Sequence, residues 1–309
     1  MVQADSLTPA LEKIIVIGGP TCIGKSDYGV ELALKYHGEI ISADSVQIYR
    51  GLNIGSGKLT AEEMRGVPHY MIDVVDPEDS FTVVDFTTRA RALITDIISR
   101  GKLPIVVGGT GFYINALLHG YKCGKAAPNK ELRENLRRLE AENYKGYLYD
   151  MLLRFNPHTK VKPNDMQRIE RQLEIYLSPD AKTSNDEPES IDMYDALLIV
   201  MNADRKKLDE LAAKRIKKMF DAGLVDEVRG LASKSKYACM SSVGYKDVLL
   251  GLSCGMTREE TEECMRSSYH GLIKKQQTFF RWIKWDNKVI AYDGDLTEAN
   301  IAVKNFLKK

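Results

Sequence analysis

The chain lacks an excess of charge of either sign: 44 lysines and arginines face 43 aspartates and glutamates, a formal net charge of +1. The balance gives no overall sign of a polyanionic partner, although a basic face can hide inside a neutral total. Long hydrophobic runs are also missing. Nothing approaches the roughly 18 apolar residues of a membrane span, and the opening MVQADSLTPA has no basic segment followed by an apolar one. Paired cysteines are absent too: Cys22, Cys123, Cys239, Cys254 and Cys264 are odd in number and none forms C-x-x-C, which argues against a zinc or redox-dithiol site. With no internal repeat or low-complexity tract, these absences predict a soluble, untargeted protein of a reducing cytoplasm.

What is present is enough chain, 309 residues, for one full domain and a smaller insertion. Ile14 to Ile17 read as a strand that stops at Gly18 and Gly19, and Lys25 to Tyr36 as a helix. Glu39 to Ala43 and Pro104 to Val107 read as further strands, with a helix from about Val84 to Ser99 between them. Strands alternating with helices predict a parallel α/β sheet. From about Tyr121 the pattern changes to charged helices, Lys130 to Asn143, Gly146 to Phe155 and Asn164 to Leu177. A polar stretch, Ser178 to Ser190, reads as a linker before the apolar strand Ala196 to Met201. Long helices follow, Asp204 to Ala222, Leu224 to Ser233 and Thr257 to about Ile283. The expected organisation is an α/β core of residues 1–120 and 196–309 interrupted by a helical insertion at 121–195.

Gly19-Pro20-Thr21-Cys22-Ile23-Gly24-Lys25-Ser26 matches G-x-x-x-x-G-K-[ST] between a predicted strand and a predicted helix, the context that a phosphate loop requires. Loop amides and the positive helix end can surround a diphosphate or triphosphate, Lys25 adds a point charge, and the Ser26 hydroxyl can hold Mg²⁺. An ordinary nucleotidase would also carry an apolar strand ending in Asp, whereas the strand ending at Val107 runs into Gly108-Gly109-Thr110-Gly111. Asp44, following the second strand, is left for another role. Taken alone, Asp44 could cap a helix, Thr110 could be a turn residue, and Arg168 and Arg171 could belong to a solvated helix face.

Taken together the segments resemble the tRNA dimethylallyltransferases. Asp44-Ser45-Val46-Gln47-Ile48-Tyr49-Arg50-Gly51, with Ile54-Gly55, is similar to that family's D-S-x-Q-x-Y-[RK]-G-x-x-I-G signature. Further matches run in the family's order: Val67 to Tyr70, Val107 to Tyr113, Gln167 to Arg171, Gly223-Leu224 with Glu227-Val228, Val243 to Lys246, and Lys275 to Arg281. The resemblance implies a phosphate-loop NTPase-like fold and transfer of a five-carbon group from dimethylallyl diphosphate to N6 of the adenosine next to the anticodon. It assigns Asp44 as base, with Thr21, Thr110 and Arg215 on the departing diphosphate and Mg²⁺ on Ser26. It also implies tRNA contacts from Asp44, Ser45, Val46, Gln47 and Thr110 and from Gln167, Arg168, Ile169, Glu170 and Arg171, with the insertion gripping the anticodon stem-loop and the enzyme working as a monomer.

The chain departs from the family at Leu211-Ala212, where an Arg-Ile pair is usual, at Tyr269-His270 in place of Thr-Arg, and at Lys275, where Lys lacks the bidentate grip of Arg. Alternatives remain open: an adenylate isopentenyltransferase acting on free AMP, ADP or ATP, a small-molecule kinase, or a tRNA-binding protein without turnover.

Overall fold

The computed structural model describes residues 11–120, 129–178 and 192–308, so the expected linker, apart from Ser178, and the first ten residues lie outside it. The chain divides into two compact units, residues 1–120 with 191–309, and residues 121–190. Residues 192–195, expected within the insertion, pack with the first unit: the Met193 amide donates to Leu118 O at 2.9 Å and Tyr194 is buried in the sheet's core.

The first unit is built on six parallel strands, β1 Lys13–Gly18, β2 Gly38–Ser42, β3 His69–Tyr70, β4 Leu103–Gly108, β5 Asp195–Asn202 and β6 Lys288–Tyr292, in the order β3-β2-β4-β1-β5-β6. The central strands read as unbroken apolar runs because helices cover both faces of the sheet. Alternation then sorts their side chains. Ile14, Val16, Ile41, Val106 and Leu198 pack with Phe86, Ile94 and Ile97 of α3 (Val83–Ser99) and with Ile114 and Leu117 of α4 (Gly111–Leu118). Ile15, Ile17, Ile40, Ile105 and Ile199 pack with Leu32 of α1 (Lys25–Tyr36) and with Val303 and Phe306 of α12 (Thr297–Lys308).

A third apolar cluster joins α8 (Arg205–Asp221), α9 (Leu224–Gly230), α10 (Tyr245–Cys254) and α11 (Arg258–Trp282) through Leu208, Ile216, Val228, Tyr245, Met265 and Ile273. The 25-residue α11 starts at a capping box between Thr257 and Glu260, which satisfies the first amides of the helix. A short helix, α2 (Ala61–Met64), precedes β3. Among the described residues no helix is long and apolar enough to cross a membrane.

The second unit contains α5 (Lys130–Glu142), α6 (Tyr147–Phe155) and α7 (Met166–Leu177) around Leu136, Leu148, Leu152, Val161, Ile169 and Leu173. Two buried carboxylates on α7 are neutralised by arginines: Glu174 by Arg133 (2.7 Å) and Arg171 (2.5 Å), and Glu170 by Arg137 (2.8 Å). Buried carboxylates persist only when paired in this way.

Candidate active site

Parallel strands deliver their carboxyl ends to one rim of a sheet, and the register sets which residues meet there: Gly18 of β1 lies opposite Gly108 of β4, and Ser42 of β2 opposite Val107. The phosphate loop leaves this rim after β1. Gly24 takes a left-handed backbone (φ 88°) to start α1, so the Lys25 and Ser26 amides begin the helix at the loop. Lys25 Nζ donates to Pro20 O at 2.7 Å, curling the side chain back over the loop. Burial lowers the Lys25 ammonium to about 8, with nearby Arg215 pushing the same way and Asp44 opposing it. Cys22 sits at φ 71°, and burial raises its thiol. Ile23 packs into the helical cluster below. No described residue hydrogen-bonds to the Ser26 hydroxyl.

The turn after β2 sits beside this loop. Asp44 Oδ1 accepts the amides of Val46 (2.8 Å) and Gln47 (3.2 Å), while Oδ2 takes no bond from any described residue. Thr110, after β4, closes the gap: its amide donates to Ala43 O at 3.2 Å, and its hydroxyl accepts the Ser45 amide at 3.0 Å and lies 3.3 Å from the Ser45 hydroxyl. The Gln47 side chain is fully used, accepting Ser42 Oγ at 2.9 Å and donating to Gly57 O at 3.2 Å.

Helix α11 ties the two loops together, a relationship not assigned from sequence. Gln276 Oε1 accepts the Thr21 amide at 2.9 Å while its Nε2 donates to Gly109 O at 3.1 Å. Phe279 and Phe280 on the same helix lie so close to Gly111 and Gly18 that a Cβ at either glycine would strike a ring. The glycines of this rim thus serve close approach as well as any ligand. Gln276 was legible only as one letter of a motif, since its partners lie 255 and 167 residues away.

Arg215 reaches the site from α8. Its Nη2 donates to Ser56 O at 3.3 Å, and its buried Nε has no hydrogen-bond partner among the described residues. Burial disfavours its charge, but Tyr269, Cys22 and Asp44 around it raise the guanidinium above its ordinary value. Tyr269, one of the departures from the family, therefore lies against this arginine, buried and with its hydroxyl 3.7 Å from Met219 Sδ. The other, His270, pairs with Asp209 at 3.0 Å, and Ala212 is core.

Of the run expected on tRNA in the second unit, Ile169 is fully buried in that unit's core and Glu170 is held by Arg137. Gln167 and Arg168 are exposed, and Arg171 is half-buried against Glu174. Of the five, only Gln167, Arg168 and Arg171 have polar side chains that reach the surface. Back in the first unit, a cavity of about 660 Å³ lies between α4 and α11, lined by Asn115, Lys274, Lys275, Phe279, Trp282 and Ile283 among others. Its walls include neither Asp44 nor the phosphate loop.

Known proteins similar to this chain share one family. The chain is 38% identical over 272 residues to a tRNA dimethylallyltransferase of Exiguobacterium sp., covering 87% of each protein. It is 40% identical over 291 residues to one of Caldanaerobacter subterraneus, covering 88% of this chain and 91% of the relative. The crystal structure of the tRNA isopentenylpyrophosphate transferase of Bacillus halodurans superposes with a TM-score of 0.70 at 34% identity, covering 96% of each chain. A eukaryotic dimethylallyltransferase acting on tRNA gives 0.80 at 28% identity, covering 96% of this chain and 79% of the other. The profile of the IPP transferase family matches residues 47–282, and with these relatives it shows that the chain belongs to that family.

Proposed function

We propose that this protein transfers a dimethylallyl group from dimethylallyl diphosphate to N6 of the adenosine beside the anticodon in tRNA, releasing diphosphate. One observation carries the reading: the turn that holds Asp44 follows β2 at the same sheet rim from which the phosphate loop leaves β1, and Thr110, after β4, is bonded to that turn.

The chemistry needs a cradle for a departing dianion and a base for an amine. The amides of the Gly19–Ser26 loop, the α1 N-terminus, Lys25 and Arg215 supply preorganised positive charge where the leaving group gains negative charge. Thr21 can add its hydroxyl, and Gln276 fixes the Thr21 backbone. The N6–C1 bond forms as the C1–O bond breaks, the electron pair leaving with diphosphate. The amine's proton passes to Asp44 Oδ2, while Oδ1 stays anchored by Val46 and Gln47, so that the carboxylate cannot swing away. The Ser45-Thr110 pair holds the two loops at a fixed spacing.

Mg²⁺ fits the donor set: the Ser26 hydroxyl is uncommitted, and among the described residues no cluster of three or more His, Cys, Asp or Glu offers a rival metal cage. Ser26 would hold the ion together with substrate phosphate oxygens and water. When bound, the ion supplies charge neutralisation on the diphosphate.

An adenine stacked in an anticodon loop is reached by extrusion, so the Asp44–Gln47 turn would receive a flipped base, its edge read by polar groups at the rim. Gln167, Arg168 and Arg171 would contact the stem-loop through phosphates and shape. On this reading the enzyme works as a monomer in the cytoplasm.

Mass spectrometry of adenosines from tRNA incubated with protein and donor tests the reading. Asp44→Ala is expected to lower the rate by roughly 10²–10⁴ with diphosphate binding retained. Equal modification by both proteins removes Asp44 from the chemistry, and product from AMP but not tRNA replaces the substrate.

A further inference from the structure

Glu227 on α9 makes an unusual set of contacts for a half-exposed glutamate. Its Oε2 accepts the amides of Asn53 (3.2 Å) and Ile54 (2.8 Å), and its Oε1 the amide of Gly55 (3.1 Å) and the hydroxyl of Tyr245 (2.7 Å). Three consecutive backbone N–H groups turned toward one anion form a nest, filled here by the protein's own carboxylate. Four donors saturate the acceptor sites of a carboxylate. The Tyr245 ring is wholly buried and lies on Gly55, where a Cβ would approach it to 2.6 Å.

The nest fixes the course of the next two residues. Beyond Gly55, the carbonyls of Ser56 and Gly57 turn inward and accept Arg215 Nη2 and Gln47 Nε2. Gly57 is left-handed (φ 64°), and a side chain there would collide with the Arg215 guanidinium, so the loop passes directly over that group. The Ser56 carbonyl gives Arg215 a backbone acceptor, and the adjacent Nε has no partner among the described residues.

We infer that Glu227 is a positioning residue: through the nest of residues 53–55 it sets the Ser56 carbonyl that aims Arg215 at the diphosphate. The inference rests on the proposed function only in taking Arg215 as a diphosphate ligand. Glutamine has the size of glutamate but offers one acceptor oxygen and turns an N–H₂ group toward backbone donors, so Glu227→Gln repels at least one amide and releases the loop.

The test is a double-mutant cycle read by calorimetric binding of inorganic diphosphate in magnesium-containing buffer, on full-length protein whose folding is checked by thermal melting. Glu227→Gln is expected to weaken diphosphate binding by about tenfold in the wild-type background and by less than about twofold in an Arg215→Ala background, because the effect travels through that arginine. Tyr245→Phe, which keeps the ring and removes one of the four donors, should show a smaller loss with the same dependence on Arg215, and it serves if Glu227→Gln fails to fold. Equal losses in both backgrounds, or none in either, overturn the inference. A normal affinity for diphosphate in Arg215→Ala alone brings down the assignment of Arg215 itself, a result distinguishable from failure at Glu227.

Discussion

The side chain of Gln276 accepts the backbone amide of Thr21 at 2.9 Å, joining the 25-residue helix α11 to the phosphate loop. The Nε2 of the same side chain donates to Gly109 O at 3.1 Å, so Gln276 sets the distance between the Gly19–Ser26 loop and the loop that carries Thr110.

Removing that side chain should cost both activity and stability. Gln276→Ala is expected to raise the KM for prenyl donor and to lower kcat about tenfold, while the loss of two hydrogen bonds destabilises the fold by about 1–3 kcal/mol. Gln276→Glu keeps an acceptor for Thr21 but places a negative charge beside the diphosphate, and should weaken donor binding more than alanine does. Steady-state kinetics with thermal melts on both variants check the order.

Lys25 should make diphosphate binding pH-dependent. Burial lowers its folded-state value to about 8, below the roughly 10.4 of an unfolded lysine. The folded protein then binds fewer protons than the unfolded chain between those values, so this group's contribution to stability rises as pH climbs through that window. Binding goes the other way, since it needs the ammonium. Affinity for inorganic diphosphate should fall roughly tenfold between about pH 7 and about pH 9, and Lys25→Met should bind weakly with that component of the pH dependence absent. Calorimetry across the range distinguishes the two.

How much of this was legible in the sequence depends on how local the signal is. Elements β1, α1, β2 and α3 fall within a residue or two of their expected limits, because each pattern is complete within its own span. Two short edge strands had no such signal. β3 is two residues long, and β6 leaves Ile290 and Tyr292 exposed, so neither shows the apolar run of a central strand. Helix α4 was hidden because its start, Gly111, reads as the end of a glycine turn. At the site, the phosphate loop, Asp44 and Thr110 could be named from motifs, and Gln276 and Glu227 appeared within motif matches but without roles. Their work is done across long sequence separations, which only the folded chain reveals.

Acid should loosen the second unit through Glu174. Burial alone would raise its carboxyl, but Arg133, the Asn129 amide and Arg171 together hold it down to about 2. A folded value below the roughly 4.3 of an unfolded glutamate means that the contribution is present above that value and is lost as pH falls toward about 2. Hydrogen-exchange protection across residues 129–178 should therefore drop between about pH 4.5 and about pH 2. Glu174→Gln should show low protection already at neutral pH, with a flatter response to acid.

The rim where Gly18, Gly109 and Gly111 meet Phe280, Gln276 and Phe279 is built from main chain on one side and large side chains on the other, with no room for a single added carbon. Replacements at Gly18 and Gly111 strike the rings of Phe280 and Phe279, whereas at Gly109 the first atom met is the tether itself, Gln276 Nε2, so a side chain there displaces the group that spans the two loops.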